Sequence, residues 1–366
     1  MPLIAYQRLH GWTDYPHHFA FFEALEERGL LDKYDFAIDP YIDPQYCGLL
    51  MQRFPQLILT DSVSNGSRLK SFLKRNGLPG AAQAAKLDAK FDAVCEAPGG
   101  RIQPMYSGQI GVFWAHPRVK RRAILFHSIE EGTLDEPLSR ESVLSADIII
   151  TRTDASADVA IAAGVPASKI TKACDIVFRR RYATDRYKPG CAVALRLPNR
   201  NVPKEYLGEL RNILDYFETV PKPIDHVRIE EPMGSEMIRR GYGSQEKGEI
   251  SMWYDDFMYQ PFMARRDAIV SCRLHTTIIA LLSGNRAIMQ FHIELGTTKL
   301  QQFIADLGLD EIPVRGIEHV TRKNIQEFVE NPVLISQSAA DNAVATARRK
   351  VELGLDRFEE WLGTVK

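Results

Sequence analysis

Cysteine is sparse in this chain: five residues in 366, at Cys47, Cys95, Cys174, Cys191 and Cys272, odd in number and without CxxC spacing. That excludes a disulfide framework and a zinc site built on paired thiols, and it reads as reduced thiols in a cytoplasmic protein. Long apolar runs are missing too, since no segment approaches the ~20 residues that a membrane helix needs. The opening Met1-Pro2-Leu3-Ile4-Ala5-Tyr6-Gln7-Arg8 has no basic stretch followed by an apolar run, so no secretory signal is expected. Neither sign of charge is in excess: 46 Lys and Arg against 47 Asp and Glu leave −1. A protein that grips nucleic acid through a basic surface is therefore not expected. Low-complexity tracts and short repeats are absent as well. What is present, 45% apolar and 25% charged residues, is ordinary globular composition.

The length suits two domains, because single cores stop growing at roughly 250–300 residues. Short β-branched runs alternate with helical patterns in both halves. Strands are expected over residues 3–6, 57–60, 123–126 and 147–151, then over 192–195, 227–229, 268–272 and 287–291, with a helix over 16–28 closing at Gly29. Strands alternating with helices imply βαβ units and parallel sheets. The Arg- and Tyr-rich stretch 179–190, ending Lys188-Pro189-Gly190, is the linker candidate. The expected domains are therefore 1–180, 190–335, and a terminal helix over 336–366. In that last segment Val344, Val351, Leu355, Phe358 and Leu362 follow helical spacing, which suits a helix packing back onto the first domain.

Two places share a grammar. Asp147 precedes the strand Ile148-Ile149-Ile150-Thr151, then come Arg152 and a helix closing at Gly164; Asp267 precedes Ala268-Ile269-Val270-Ser271-Cys272, then come Arg273-Leu274-His275 and a helix closing at Gly284. Each sets an arginine where a strand gives way to a helix N-terminus. Ligands of open α/β sheets bind beyond the carboxyl ends of strands. A helix N-terminus there offers N–H groups and a positive dipole end, and arginine adds a fork for carboxylate or phosphate. Read from the residues alone, Arg152 is either a surface partner of Asp154 or an anion ligand. His275 is either a satisfied strand-end histidine or an acid–base group.

The run from Asp267 to Gly284 with its Arg273-Leu274-His275 core resembles the signature of the polysaccharide pyruvyl transferases, as do Lys299, Phe303 and Asp306-Leu307-Gly308-Leu309 after it. Upstream, Thr151-Arg152-Thr153-Asp154, Cys174-Asp175-Ile176-Val177-Phe178 and Ala192-Val193-Ala194-Leu195-Arg196 are similar to that family's middle segments. The loop His10-Gly11-Trp12-Thr13-Asp14 departs from the family's Gly- and Asn-containing loop, with Gly11 and Asp14 standing in for it, and Lys299 lies four residues late. The resemblance implies two facing Rossmann-like domains of the GT-B type, with the active-site cleft between them. It implies phosphoenolpyruvate as donor, a saccharide acceptor in a polysaccharide, a lipid-linked precursor or a glycolipid, and no cofactor or metal. On that reading Arg152 and Arg273 clamp the donor, Lys299 and Arg196 complete the charge balance, Asp14 contacts substrate and His275 is the general acid and base. Two hydroxyls of the sugar would close a cyclic ketal as phosphate leaves. Membrane contact would be transient at most.

Two other functional classes are open: a glycosyltransferase of similar architecture using a nucleotide sugar, and a non-enzymatic anion- or partner-binding member of the fold. Among the remaining features, His17-His18 reads as a polar rim or an acceptor contact, and Arg118, Lys120, Arg121 and Arg122 as a solvated turn before a strand. Cys272 reads as a small apolar filler. The aromatic stretch Trp253-Tyr254 with Phe257 and Tyr259 is either a helix face turned inward or a sugar-stacking surface, and the Gly-containing loop 232–244 is a surface excursion.

Overall fold

The computed structural model describes residues 1–7, 15–38, 50–59, 91–102, 113, 118–194, 206–220, 223–226, 262–291 and 299–365. It divides into two units: unit 1 is Met1–Arg179 with Arg348–Lys366, and unit 2 is Arg180–Ala347.

Unit 1 is built on a parallel sheet of β1 (Leu3–Gln7), β2 (Asp35–Ile38), β3 (Ile58–Leu59), β4 (Ala93–Glu96), β5 (Gly99–Ile102), β6 (Arg121–Ile129), β7 (Ile148–Thr151) and β8 (Ile170–Lys172), with α1 (Tyr15–Glu27), α2 (Pro137–Leu144) and α3 (Asp154–Ala162) among its connections. The strands run in the order β3-β2-β1-β4-β6-β7-β8, and β5 pairs with β6 beyond the end of β4. β1, β4 and β7 are apolar almost throughout because both faces of such a sheet are covered. The chain goes from β1 to β2 on one side and returns to β4 on the other, so a switch point opens between β1 and β4.

Unit 2 repeats the plan on a smaller scale. β9 (Cys191–Ala194), α4 (Tyr206–Thr219), β10 (Ile224–His226), β11 (Ala268–Ser271), α5 (Leu274–Leu282), β12 (Ile288–Phe291), α6 (Lys299–Asp306), β13 (Val314–Arg315) and α7 (Arg322–Glu330) give a parallel sheet in the order β10-β9-β11-β12-β13. Ile213, Tyr216 and Phe217 of α4 join Ile325, Phe328 and Val329 of α7 in one core over this sheet. α5 is buried along its whole length. The switch point here lies between β9 and β11.

The expected terminal helix forms as α8 (Gln337–Leu362), and its residues from Arg348 onward belong to unit 1. The buried stripe there is Val351, Leu355, Phe358 and Leu362, with Phe358 5.4 Å from the ring of Phe21. It continues upstream through Ala343 and Ala347, while Val344 is only half-buried. Arg28 reaches Glu352, Asp356 and Glu359 on this helix, and Arg179 ties Glu352 to Glu27.

Two sequence expectations change. The stretch read as a linker is held in unit 2: Tyr187 bridges Arg265, the N–H of Lys188 donates to the Arg265 carbonyl, and the Tyr187 hydroxyl donates to Asp267. Its backbone polar groups find partners there, so it orders like a strand edge. The basic cluster is also not simply solvated. β6 starts at Arg121, and Arg122 donates to the Val119 carbonyl and to Ser145 while lying over Phe113. The strand expected over 227–229 lies outside the described residues, and β10 ends just before it. No helix among the described residues is long and apolar enough to cross a membrane.

Candidate functional site

In unit 2 the chain leaves β11 at Ser271 and enters α5 through a tight turn. The Ser271 hydroxyl accepts the N–H of Arg273 at 2.9 Å and donates to the Arg273 carbonyl at 3.1 Å. Cys272 is pinned to β9, its N–H 2.9 Å and its Sγ 3.2 Å from the Ala194 carbonyl. Arg273 is the N-cap of α5 in an extended conformation, and its side chain makes no capping hydrogen bond. The first turn of α5, Leu274, His275 and Thr276, therefore stands at the carboxyl end of the sheet, at the switch point. His275 is the second helical residue and is buried, and Thr276 is fully buried. The Thr276 Oγ1 has no hydrogen-bond partner among the described residues. The next residue, Thr277, donates to Gln290 of β12, which fixes the helix on its sheet.

Unit 1 handles the matching position differently. Thr153 caps α3 by accepting from the N–H of Ser156, and Asp154 stands in its first turn, bound to Lys350 of α8. That helix N-terminus is served by its own residues. Arg152 turns into the protein, 4% exposed, donating from Nε to Ser128 at 2.9 Å and from a terminal nitrogen to Asp175 at 3.2 Å. His17 approaches the same Asp175 oxygen at 3.0 Å, and the other carboxylate oxygen accepts the N–H of Val177. The surface pairing of Arg152 with Asp154 is thus replaced by a buried Arg152–Asp175–His17 cluster. Cys174, next to Asp175, is a protonated thiol rather than a nucleophile, because burial and then the Asp175 charge push its pKa far up.

The two aspartates of the shared grammar serve the opposite ends of the strands. The Asp147 carboxylate accepts the N–H of Arg122 at 3.1 Å while its own N–H donates to the Arg122 carbonyl at 2.8 Å. Asp267 does the same with Gly190 at 2.9 and 3.0 Å, and Asp92 with Leu3 at 2.8 and 2.9 Å. Each clamp joins a strand to its parallel neighbour at the amino end.

A second polar group stands at the switch point of unit 1. Gln7 closes β1 and Glu96 closes β4, and the Gln7 amide donates to Glu96 Oε2 at 2.6 Å. His127 Nε2 lies 3.8 Å from Glu96 Oε1, and its Nδ1 lies 3.1 Å from the Ser128 carbonyl. All three side chains are buried. His127 gets there because β6 carries an extra residue against β7, between Ile124 and His127. Within that bulge sits Phe126 at φ 45°, the one non-glycine residue with positive φ among those described. Such conformations cost of order 1–3 kcal/mol and gather at functional sites.

Of the sequence candidates, the structure brings Arg273 and His275 together on α5 and sets Arg152 in unit 1. Lys299 opens α6. Asp14 and Arg196 lie outside the described residues, as do residues 232–244 and the aromatic stretch at 253–259. His17 and His18 are not a rim: both are fully buried, His18 Nδ1 2.8 Å from the Tyr6 hydroxyl. Sequence reasoning missed Glu96, His127 and Asp175 as site residues. A signal existed, since each is a charged or titratable residue inside or closing an apolar run.

No family model matches the sequence. Comparison with curated proteins finds no relative. Solved structures do match over the full length. A protein assigned as a UDP-N-acetylglucosamine 2-epimerase, from Listeria monocytogenes, superposes with a TM-score of 0.59 at 12% identity, covering 99% of this chain and 96% of its own. HepE of Anabaena, solved with UDP and glucose, gives 0.56 at 12% identity with both chains fully covered. The UDP-GlcNAc 2-epimerase of Neisseria meningitidis, bound to UDP-GlcNAc, gives 0.52 at 10% identity over 98% of this chain and 100% of that one. At such identities the likeness is one of fold, and the fold is GT-B: two Rossmann-like units with parallel sheets.

Proposed function

We propose that this protein is a sugar-modifying enzyme of the GT-B type whose unit 2 seats the diphosphate of a nucleotide sugar. The observation that carries the reading is the buried Thr276 hydroxyl, without a hydrogen-bond partner among the described residues, in the first turn of α5 at the β9–β11 switch point, where the N-cap Arg273 supplies no side-chain cap. Phosphate oxygens would take the first-turn N–H groups, where the helix dipole favours negative charge. Thr276 Oγ1 would donate to the same group and so gain the partner it lacks. Arg273 would neutralise the leaving diphosphate, and His275 would hold or supply a proton there. The full-length likeness to proteins solved with UDP or a UDP-sugar supports the nucleotide over other phosphates.

A second reading, pyruvyl transfer from phosphoenolpyruvate to a sugar, stays open on one observation. The Arg273-Leu274-His275 motif, which resembles part of the pyruvyl transferase signature, lies at the turn from β11 into α5. Phosphoenolpyruvate would place its phosphate on the same seat, with His275 protonating the methylene carbon.

Thermal unfolding of the full chain, titrated separately with UDP, UDP-N-acetylglucosamine, UDP-glucose and phosphoenolpyruvate, tests both. A ligand at a hundred times its Kd adds about 2.7 kcal/mol of apparent stability. UDP should raise the midpoint, and Arg273→Ala should weaken UDP about 10- to 100-fold, as loss of a charge-assisted hydrogen bond requires. A shift with phosphoenolpyruvate alone would move the conclusion to pyruvyl transfer. No shift with any of them would refute the seat.

A further inference from the structure

We propose that the part of α8 in unit 1 is a clasp that sets the alignment of β6 and so assembles the buried cluster of Arg152, Asp175, His17 and Ser128, with Gly354 as the positioning residue. This concerns unit 1 alone and does not depend on the phosphate seat in unit 2.

The alignment follows from one extra residue. Ile124 pairs with Ile149 and His127 with Thr151, so Leu125 and Phe126 together face Ile150. Neighbours across a parallel sheet share a face. The extra residue therefore brings Ser128 level with Arg152, whose Nε donates to its hydroxyl at 2.9 Å. Without it Phe126 would pair with Thr151, His127 would stand beside Arg152, and Ser128 would turn to the opposite face. Arg152, only 4% exposed, would then lose this acceptor where water cannot replace it.

The bulge needs an outside constraint, since Phe126 has φ 45°, a region that residues with a Cβ adopt only when their surroundings impose it. α8 supplies the constraint. A Cβ on Gly354 would fall 2.7 and 2.9 Å from two ring carbons of Phe126, and 2.9 Å from a methyl of Ile150, the residue that the bulge faces. Gly354 stands inside a 26-residue helix, where glycine weakens the helix and no positive φ requires it. What it provides is the notch for the Phe126 ring.

The same stretch of α8 touches the other segments that carry the cluster. Arg348 Nε donates to the Phe178 carbonyl at 3.1 Å, in the turn that starts next to Asp175. Lys350 Nζ donates to Asp154 at 2.9 Å, two residues beyond Arg152. Phe358 lies 5.4 Å from the ring of Phe21 on α1, the helix of His17. Segments far apart in sequence thus share two things, the cluster and contact with α8. The cluster stands at the carboxyl ends of β6 and β7, the side of an open α/β sheet that receives ligands.

Histidine NMR and urea unfolding of the full chain test this. The His127 imidazole signal should move in Gly354→Ala and stay in place in Leu353→Ala, a change at the exposed neighbour. Ser128→Ala removes the bond to Arg152. In the Gly354→Ala background it should cost at most about half of what it costs in the unsubstituted chain, and in Leu353→Ala its cost should be unchanged. Phe126→Leu combined with Gly354→Ala refills the notch, a smaller side chain meeting the new methyl. That pair should restore the His127 signal and the full cost of Ser128→Ala, and it decides the matter where Gly354→Ala alone does not fold. An unmoved His127 signal in Gly354→Ala, additive costs of Gly354→Ala and Ser128→Ala, or no restoration in the paired variant each overturn the proposal.

Discussion

Removing the Asp175 carboxylate should be among the most damaging single changes in unit 1. Asp175 is fully buried, Arg152 is 4% exposed, and their charged atoms are 3.2 Å apart. At an effective dielectric constant near 20, opposite unit charges at that distance attract by ~5 kcal/mol. Most of that attraction offsets the cost of taking both ions out of water, so the pair as a whole contributes little. Breaking it from one side is another matter, because the guanidinium stays buried without its counter-charge. Asp175→Ala should cost about 3–5 kcal/mol. For a unit of about 200 residues that is a fall in unfolding temperature of roughly 6–20 °C, at 2–4 °C per kcal/mol. Asp175→Asn keeps the acceptor for Val177 and should cost less. Arg152→Met with Asp175→Leu removes both charges and should recover most of the loss, giving a large coupling energy in a double-mutant cycle read by urea and thermal unfolding. If Asp175→Ala costs under ~1 kcal/mol, or if the double variant is no better than the single, the cluster is not a desolvated ion pair and the argument fails.

Two more outcomes follow from the packing of unit 1. A Cβ on Gly354 of α8 would come within 2.7 Å of Phe126 and 2.9 Å of Ile150, so Gly354→Ala should cost about 1–3 kcal/mol by overpacking against the bulge, measured by urea unfolding. Burial pushes the thiols of Cys95 and Cys174 well above their ordinary range. Below the unfolded pKa both states hold the proton and nothing changes; above about pH 9 the unfolded chain loses protons that the folded chain keeps. Stability should then fall by up to ~1.4 kcal/mol per pH unit for each thiol, and Cys95→Ala should flatten that slope in unfolding curves taken between pH 8.5 and 10.

The alternation of apolar runs with helical patterns was enough to read parallel α/β units, because β1, β7, β9, β11 and β12 are short runs buried on both faces. One strand that escaped had a weaker signal. Gly99-Gly100-Arg101-Ile102 carries two glycines that read as a turn. The α5 site was legible because its parts are contiguous: strand, turn, Arg273, His275. The unit 1 clusters were not, because their partners meet only in the fold. His17 and Asp175 are 158 positions apart, and nothing local in either predicts the other. The bulge that turns His127 toward Glu96 is equally silent, since Ala-Ile-Leu-Phe-His-Ser-Ile reads as one uninterrupted strand.

The recurrence that drew attention to Arg152 and Arg273 has a physical source distinct from the site. Asp92, Asp147 and Asp267 each open a strand and each make the same two backbone bonds to the neighbouring strand. In a parallel pair the strands start side by side, and the first N–H of the inner strand has no ladder partner. A carboxylate one residue before the strand supplies it and sets the register at the same time. The arginines lie five and six residues further on, roughly 15–20 Å away at the rise of a strand. Similar starts therefore do not require similar ends. The ends do differ: the helix after Arg152 is capped by the Thr153 side chain, and Arg273, the N-cap of the other helix, makes no side-chain cap. The proposed diphosphate seat is the second. Thr276→Val tests this difference with almost no change in volume. It should leave folding intact, because it removes a hydroxyl that has no partner among the described residues, and it should lower UDP affinity. Unchanged affinity in that variant would mean that the α5 terminus does not seat the phosphate.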